Sequence, residues 1–252
     1  MTGVEIFVYG LLASLGAGLA TGVGALPVLV FPGVPRRVLN ILLGFAAGVM
    51  LAATCFSLLV PALDDPQGGV LIVVLGVAAG ALTIDIVDKT VPHAHVVLGH
   101  EGPRSSMRKT WLFVLAITIH NFPEGLAVGV GFGGGDVNAG LTLATGIGLQ
   151  NAPEGLAVAL AMMREGWGRL AAIGLALATG LVEPAGGALG AGVVSLARPF
   201  LPFALAYAAG AMLFVIADEI IPETQCQGSE RLATFGLIIG FLVMMSLDTL
   251  FG

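Results

Sequence analysis

Charged residues are scarce in this chain of 252 residues. Lysine, arginine, aspartate and glutamate make up 10% of the sequence, whereas a typical soluble domain contains about 25%. Hydrophobic residues make up 57%, and the mean hydropathy is +0.99. This composition excludes a water-soluble globule. Apolar runs long enough to cross a bilayer recur along most of the chain, which indicates an all-α, polytopic membrane protein.

Cysteine is also rare. The chain has two, Cys55 inside an apolar run and Cys226 in a short polar loop. Without a C-x-x-C motif or a Cys/His cluster, this pattern does not indicate a disulfide framework. The N-terminus lacks a basic segment, and its first apolar run is long enough to remain as a span. We therefore expect no cleavable signal peptide.

We predict eight transmembrane helices in one transporter domain that covers 1–252. The predicted spans are roughly 6–30, 38–63, 69–91, 111–132, 139–163, 170–194, 200–222 and 232–251. Short clusters of proline, glycine and charged residues separate them. The longest connection, about 92–110, contains three of the four histidines.

The distribution of basic residues predicts the orientation. Eight spans place both termini on one side, and the loops on the other side hold nine of the ten lysines and arginines, all but Arg198. By the positive-inside rule, both termini lie outside the bacterial inner membrane and the loop 92–110 lies in the cytoplasm. The outer loops carry Asp64, Asp65 and Asp136, an acidic surface that would concentrate cations.

A polar motif occurs twice inside predicted spans, as HNFPEG and as QNAPEG. Each copy places a carboxylate four residues after an imidazole or a carboxamide, so both groups lie on one helix face. An asparagine precedes each carboxylate by three residues. The motif residues are His120, Asn121 and Glu124 in the first copy, and Gln150, Asn151 and Glu154 in the second.

Three carboxylates fall near the middle of spans: Glu124, Glu154 and Glu183, the last within GLVEPAG. Each costs about 2.5–3.5 kcal/mol at the bilayer centre if it stays charged. The sequence offers no lysine or arginine at that depth, so protonation or a bound cation must compensate. A histidine and amides beside the carboxylates favour the cation, because nitrogen and oxygen ligands suit borderline divalent metals.

Other interpretations of this cluster remain. The polar groups could form hydrogen bonds between helices that only fix packing, or they could relay protons. Amides relay protons poorly but ligate metals through oxygen. An intramembrane metalloprotease would need H-E-x-x-H, and the chain has Asn121 and Glu124 in the corresponding places. We therefore expect no enzyme activity.

At these residues the sequence resembles the ZIP (Zrt-, Irt-like protein) family of divalent metal transporters, and most closely its bacterial GufA-like branch. The resemblance covers nearly the whole chain. Besides the two motifs above, it includes the segments LGFAAGVMLAA, GLVEP, ADEIIPET and LDT.

The resemblance implies eight helices in a 3+2+3 arrangement, with an inverted repeat around helices four and five. The metal would bind between those two helices and cross by an elevator-like movement of one helix group against another. The first metal position would use His120, Glu124, Gln150 and Glu154, with Met50 nearby. A second position would add Asn121, Asn151 and Glu183, and share Glu124, Gln150 and Glu154. The release route would contain Asp218, Glu219, His93 and His95.

Two further acidic residues are assigned to the transport pathway by their position alone. Asp88 lies near the cytoplasmic end of the third span and Asp64 lies on the outer side. The chain also departs from the family pattern. Many relatives have histidine at the Gln150 position, and some close ones have aspartate at the Asn151 position. Whether the centre holds one metal or two therefore stays open.

The expected function is uptake of a divalent transition metal into the cytoplasm. Zinc is the leading substrate, and Cd²⁺, Fe²⁺, Mn²⁺ and Co²⁺ suit the same ligands. A channel-like or proton-coupled carrier with the same site is the alternative within transport. The expected partners are metal ions and the lipid bilayer, without nucleic acid. We also expect a homodimer, although no residue pattern argues for one.

Overall fold

The computed structural model describes residues 1–31, 33–95, 99–103, 109–225 and 228–252. In these ranges eight helical segments follow one another. They are α1 (Gly3–Leu29), α2 (Arg36–Asp64), α3 (Val70–Thr90), α4 (Lys109–Gly131), α5 (Val137–Arg164), α6 (Arg169–Leu196), α7 (Arg198–Thr224) and α8 (Glu230–Phe251). Two three-residue strands, β1 (His93–His95) and β2 (Gly99–Glu101), pair antiparallel between α3 and α4.

Seven helical segments of the described ranges are long and apolar enough to cross a membrane. The remaining long helix is α5, in which Gln150, Asn151 and Glu154 lower the hydropathy of its middle. The prediction of a polytopic helical membrane protein is confirmed. The short β1–β2 hairpin falls in the predicted loop 92–110, and it is the one departure from an all-helical architecture in the described ranges.

Prolines interrupt several of these helices. In α2 the segment Ala53–Leu59 is a π-helix that ends just before Pro61, and in α7 the segment Ile216–Ile220 is a π-helix that ends just before Pro222. A proline has no N–H, and its ring clashes with the carbonyl four residues earlier, so a wider turn relieves both problems. In α6 the helix ends at Gly180 and resumes at Glu183, before Pro184. The sequence did not predict these breaks.

The helices pack as two groups. The first group consists of α1, α4, α5 and α6, in which α1 packs extensively against both α5 and α6, and α4 packs against α6. The second group consists of α2, α3, α7 and α8, with α2 against α8 and α3 against α7. The two groups meet mainly where α2 contacts α5 and where α4 contacts α7.

Glycines make the interfaces within each group very close. A Cβ on Gly155 of α5 would lie 1.8 Å from the Thr21 carbonyl oxygen of α1, and one on Gly48 of α2 would lie 1.9 Å from that of Leu237 in α8. Among the glycines of the described helices, every such backbone approach between helices joins members of one group. Between the groups, a glycine instead meets a side chain, as Gly146 meets the Met244 sulfur.

The chain termini lie at one end of the bundle, which we call the terminal end. The Met1 amino group lies near Gly135, which follows α4, and Gly252 lines one cavity with Asn138 at the start of α5. At the opposite end, Arg36 and Arg164 line a common cavity. We call this the basic end, because it also carries Arg169 and Arg231.

Candidate metal centre

The middles of α4 and α5 carry the two copies of the polar motif, and the proline of each copy lies inside a continuous helix. All six motif residues are buried, as is Glu183, which begins the second half of α6. None of the seven exposes more than 4% of its surface; they are His120, Asn121, Glu124, Gln150, Asn151, Glu154 and Glu183. The structure therefore brings the three predicted carboxylates into the packed interior around α4, α5 and α6.

Asn151 joins three helices through its amide. Its Nδ2 donates to the Ala17 carbonyl oxygen of α1 at 2.9 Å and to Oε1 of Glu183 in α6 at 2.6 Å. Its Oδ1 accepts from Nε2 of Gln150 at 2.7 Å. Both hydrogens of the Asn151 amide are therefore used within the first helix group. Gln150 is oriented by the same contact, so its Oε1 is the atom left for another ligand.

His120 lies against a residue of the other helix group. Its Nε2 contacts Oε2 of Glu219, which belongs to the π-helical segment of α7. The neighbouring Asp218 is exposed, whereas Glu219 is buried. Sequence analysis assigned both acidic residues to the release route. The structure separates them, because only Glu219 points from α7 towards α4.

Several oxygens of the carboxylates lack a hydrogen-bond donor among the residues described. These atoms are the two oxygens of Glu124, the two oxygens of Glu154, and Oε2 of Glu183. The side-chain amide of Asn121 likewise has no hydrogen-bond partner among the described residues. Burying a charge without a partner costs several kcal/mol, so such a group is protonated or coordinates a cation. This is the cluster that the sequence predicted, now at the contact of α4 with α5.

Two cavities lie between this cluster and the basic end. One, about 30 Å³, is lined by His120, Glu154 and Glu219. The other, about 60 Å³, is also lined by Glu154 and reaches Arg36 and Arg164. Since a water molecule needs roughly 10–15 Å³ of cavity volume, the two cavities have room for about two and about four waters. A small hydrated cation therefore has space beside Glu154.

Other predicted residues lie apart from this cluster. Met50 is buried in the apolar core, and its carbonyl accepts from Thr54. Asp64 is exposed at the terminal end of α2. Asp88 and His93 are buried near the basic end, 3.8 Å apart. The side chain of His95 lies outside the described part of the structure. Among the described residues, no three His, Cys, Asp or Glu side chains already form a closed metal cage.

Sequence analysis missed three contacts near the site. The Ala17 carbonyl reaches Asn151, the buried Thr21 lies beside Gly180, and Arg36 lines the cavity next to Glu154. A carbonyl has no sequence signal, and a single threonine in an apolar helix has very little. These contacts follow from how α1 packs on α5 and α6 and how α2 packs on α5, which the chain order alone does not determine.

Known proteins resemble this chain over most of its length. The family model described as ZIP zinc transporter matches residues 99–248. The chain is 45% identical to zinc transporter GufA of Myxococcus xanthus, over 96% of this chain and 99% of that protein. It is 43% identical to zinc transporter ZIPB of Bordetella bronchiseptica, over 97% and 82%, and 37% identical to human zinc transporter ZIP11, over 90% and 93%.

These comparisons confirm the resemblance predicted from the two polar motifs. The family model includes both copies of the motif, Glu183 and the whole of α7. The similarity to the bacterial relatives extends over nearly the full chain, and both of them are zinc transporters. The chain therefore belongs to the ZIP zinc transporter family.

Proposed function

We propose that this protein carries zinc through the membrane into the cytoplasm, by way of a metal site between α4 and α5. One observation carries the proposal: Glu124, Glu154 and Glu183 are buried together, and several of their oxygens have no donor among the described residues. A divalent cation would neutralise two of these charges at once. The relatives named above are zinc transporters, which favours zinc over the other divalent metals that such ligands accept.

The proposed first metal position uses Nε2 of His120 and carboxylate oxygens of Glu124 and Glu154. The Oε1 of Gln150 would be a fourth ligand, because the contact of its Nε2 with Asn151 directs the amide. Imidazole nitrogen and carboxylate oxygen are common zinc ligands in tetrahedral sites. We assign Met50 no ligand role at this position.

In our proposal, the side-chain amide of Asn151 occupies the place of the second metal ion. The Nδ2 group supplies two N–H donors between Glu183 and the Ala17 carbonyl, where a cation could otherwise bridge oxygens. The amide already holds Glu183 without a metal. We therefore propose a centre that holds one zinc ion.

Glu219 has a role in release in this proposal. His120 belongs to α4 in the first helix group and Glu219 to α7 in the second, so their contact forms between the groups. An imidazole that donates Nε2–H to Glu219 cannot use Nε2 on a metal. The contact would therefore hold His120 away from zinc while the ion leaves towards the basic end.

The cavity and the basic residues support the proposed direction of transport. The cavity leads from Glu154 to Arg36 and Arg164, and the positive-inside rule assigns that end of the bundle to the cytoplasm. The structure would then represent an inward-facing arrangement. Both termini would lie outside, in the periplasm of a bacterial inner membrane.

We further propose that the first helix group slides against the second. Close glycine contacts hold each group together, whereas side chains fill the boundary between groups. The π-helical segments before Pro61 and Pro222 occur at comparable places in α2 and α7, as an inverted 3+2+3 repeat would give. The expected homodimer stays a prediction.

Cross-linking tests the sliding movement. A cysteine pair at Gly146 and Met244 joins α5 to α8 across the groups, in a background without the native cysteines. A control pair at Gly148 and Ala20 joins α5 to α1 within one group, where the two Cβ positions lie 3.7 Å apart, within disulfide range. Oxidation should stop uptake only for the first pair, and reduction should restore it. Full uptake by the oxidised first pair would contradict sliding.

Zinc uptake by purified protein in liposomes tests the function itself. Glu154→Ala should abolish saturable uptake, because it removes one of the two carboxylates of the proposed zinc position. Glu165→Ala is the matched control, since Glu165 is exposed just after the same helix. Equal uptake by wild type and Glu154→Ala would remove Glu154 from the transport path. A proton relay predicts acidification of the liposome lumen without added zinc.

A further inference from the structure

An apolar groove of about 290 Å³ lies between α4, α6 and α7, away from the metal path. It shares no lining residue with the two cavities that lie between Glu154 and the basic end. Its walls are aromatic and aliphatic, with the Tyr207 side chain as the only one that carries a polar atom. The principal lining residues are Phe122, Leu126, Leu189, Val193, Phe203 and Tyr207.

The groove faces the hydrocarbon of the leaflet at the terminal end. Along α7 it runs from Phe200 to Tyr207, which is about 10 Å at 1.5 Å per residue. Half of a hydrocarbon core of about 30 Å is roughly 15 Å. Phe200 and Leu189 are 57% and 53% exposed. In a bilayer, therefore, the groove lies alongside the acyl chains of one leaflet over most of its depth.

Arg198 lies just before the groove-lining segment of α7. It begins α7 two residues before Phe200, and its Nη2 donates to the Gly134 carbonyl oxygen, just beyond α4, at 3.2 Å. Within the described ranges this is the one hydrogen bond of its guanidinium, which has five N–H donors. Of the lysines and arginines in those ranges, Arg198 alone lies at the terminal end.

We propose that this groove binds an anionic phospholipid, with its phosphate on Arg198 and an acyl chain between α4, α6 and α7. A guanidinium matches a phosphate through two parallel hydrogen bonds, and Arg198 is the one arginine or lysine of the described residues at that end to complement its negative charge. The short distance along α7 from this cation to an apolar groove of leaflet length, whose lining begins at Phe200, selects a lipid over a free phosphate ion.

Such a lipid would contact both helix groups. Phe122 and Leu126 of α4 and Leu189 of α6 belong to the first group, whereas Phe203 and Tyr207 of α7 belong to the second. A sliding movement of the groups would change the shape of the groove. Bound lipid would therefore favour one arrangement and alter the rate of zinc uptake. This last step rests on the proposed function, but lipid binding does not.

Native mass spectrometry of the purified, metal-free protein tests the binding. The protein is incubated in detergent with phosphatidylglycerol or with phosphatidylcholine and then released from the detergent in the spectrometer. It should retain one phosphatidylglycerol molecule, and retain it more tightly than phosphatidylcholine. Arg198→Gln should weaken that binding by about fivefold, the effect expected of one basic residue at a membrane surface, and leave phosphatidylcholine unchanged. Arg169→Gln is the control, since Arg169 also makes one bond to a carbonyl, that of Leu29, at the basic end.

A second pair of variants tests the groove. Ala204→Phe fills it from α7, and Ala78→Phe adds the same side chain at an exposed position of α3. Only the first should lose the retained phosphatidylglycerol. Wild-type lipid retention by either Arg198→Gln or Ala204→Phe would overturn the proposed site. Arg198 is exposed, so this substitution leaves the fold intact even if Ala204→Phe does not.

The effect on transport is measured separately. Liposomes of phosphatidylcholine with and without phosphatidylglycerol should give different zinc uptake rates for wild type and Arg169→Gln, and equal rates for Arg198→Gln. Equal wild-type rates in both liposomes would refute the link to transport. If wild type takes up no zinc in either liposome while the binding results hold, the proposed function fails and the lipid site stands.

Discussion

The hydrogen bonds of Asn151 make Asn151→Asp a sharp test of how many metals the centre holds. In the native chain its Nδ2 donates to Oε1 of Glu183 and to the Ala17 carbonyl oxygen. Aspartate has no donor when ionised, so both bonds are lost and two carboxylates face each other. A lost hydrogen bond that leaves a buried acceptor costs about 1–3 kcal/mol.

Charge repulsion adds to that cost. Two like charges about 4 Å apart repel by about 4 kcal/mol at an effective dielectric constant of 20. A zinc ion between the carboxylates of residue 151 and Glu183 would turn this repulsion into attraction. If zinc binding relieves about 3 kcal/mol of this repulsion, the second zinc binds roughly 100-fold more tightly than in wild type. Transport should slow, because the ion must also leave.

Calorimetric titration with zinc measures this directly. Wild type should bind one zinc, and Asn151→Asp should bind two and melt at a lower temperature without metal. Asn138→Asp is the control, because Asn138 is exposed at the start of the same helix, about 20 Å away along the axis. If Asn151→Asp binds one zinc with wild-type affinity, the reasoning from these hydrogen bonds is refuted.

Three further predictions concern release, protonation and packing. Glu219→Gln should lower the maximal rate of zinc uptake several-fold without weakening zinc affinity, since an uncharged amide holds His120 less strongly than a carboxylate does. Uptake in liposomes should weaken as the outside pH falls towards 5, because a protonated imidazole cannot ligate zinc. His120→Gln should flatten this dependence of uptake on pH. If the variant keeps the wild-type dependence, His120 is not the titrating ligand. Gly48→Ala should lower the melting temperature by an amount equivalent to about 1–3 kcal/mol of overpacking, whereas Gly174→Ala, where a Cβ meets no atom within 4 Å, should not.

The sequence predicted the helices well because their physical requirements are local. A span needs about 20 apolar residues, and each predicted span falls on an observed helix. The break of α6 at Gly180 and the π-helical segments of α2 and α7 were not predicted. A proline can kink, widen or end a helix, and the neighbouring helices determine which of these occurs.

The motif residues were predicted from their spacing, since residues four apart on a helix share a face. That spacing could not place Glu219 against His120 or Asn151 against Glu183, because these pairs are 99 and 32 residues apart. The spacing could not predict the orientation of the Gln150 and Asn151 amides either. Asn151 looked like a ligand in the sequence, whereas its hydrogens in the structure are used by Ala17 and Glu183.

X-ray absorption at the zinc edge of the loaded protein tests most directly whether the motif residues hold the metal. We expect one zinc ion in a shell of nitrogen and oxygen, with the scattering of a single imidazole. That imidazole signal should disappear in His120→Ala and persist in His93→Ala, whose side chain lies near Asp88 instead. An imidazole signal that survives in His120→Ala, or a shell dominated by sulfur, would contradict a zinc site built from the motifs of α4 and α5.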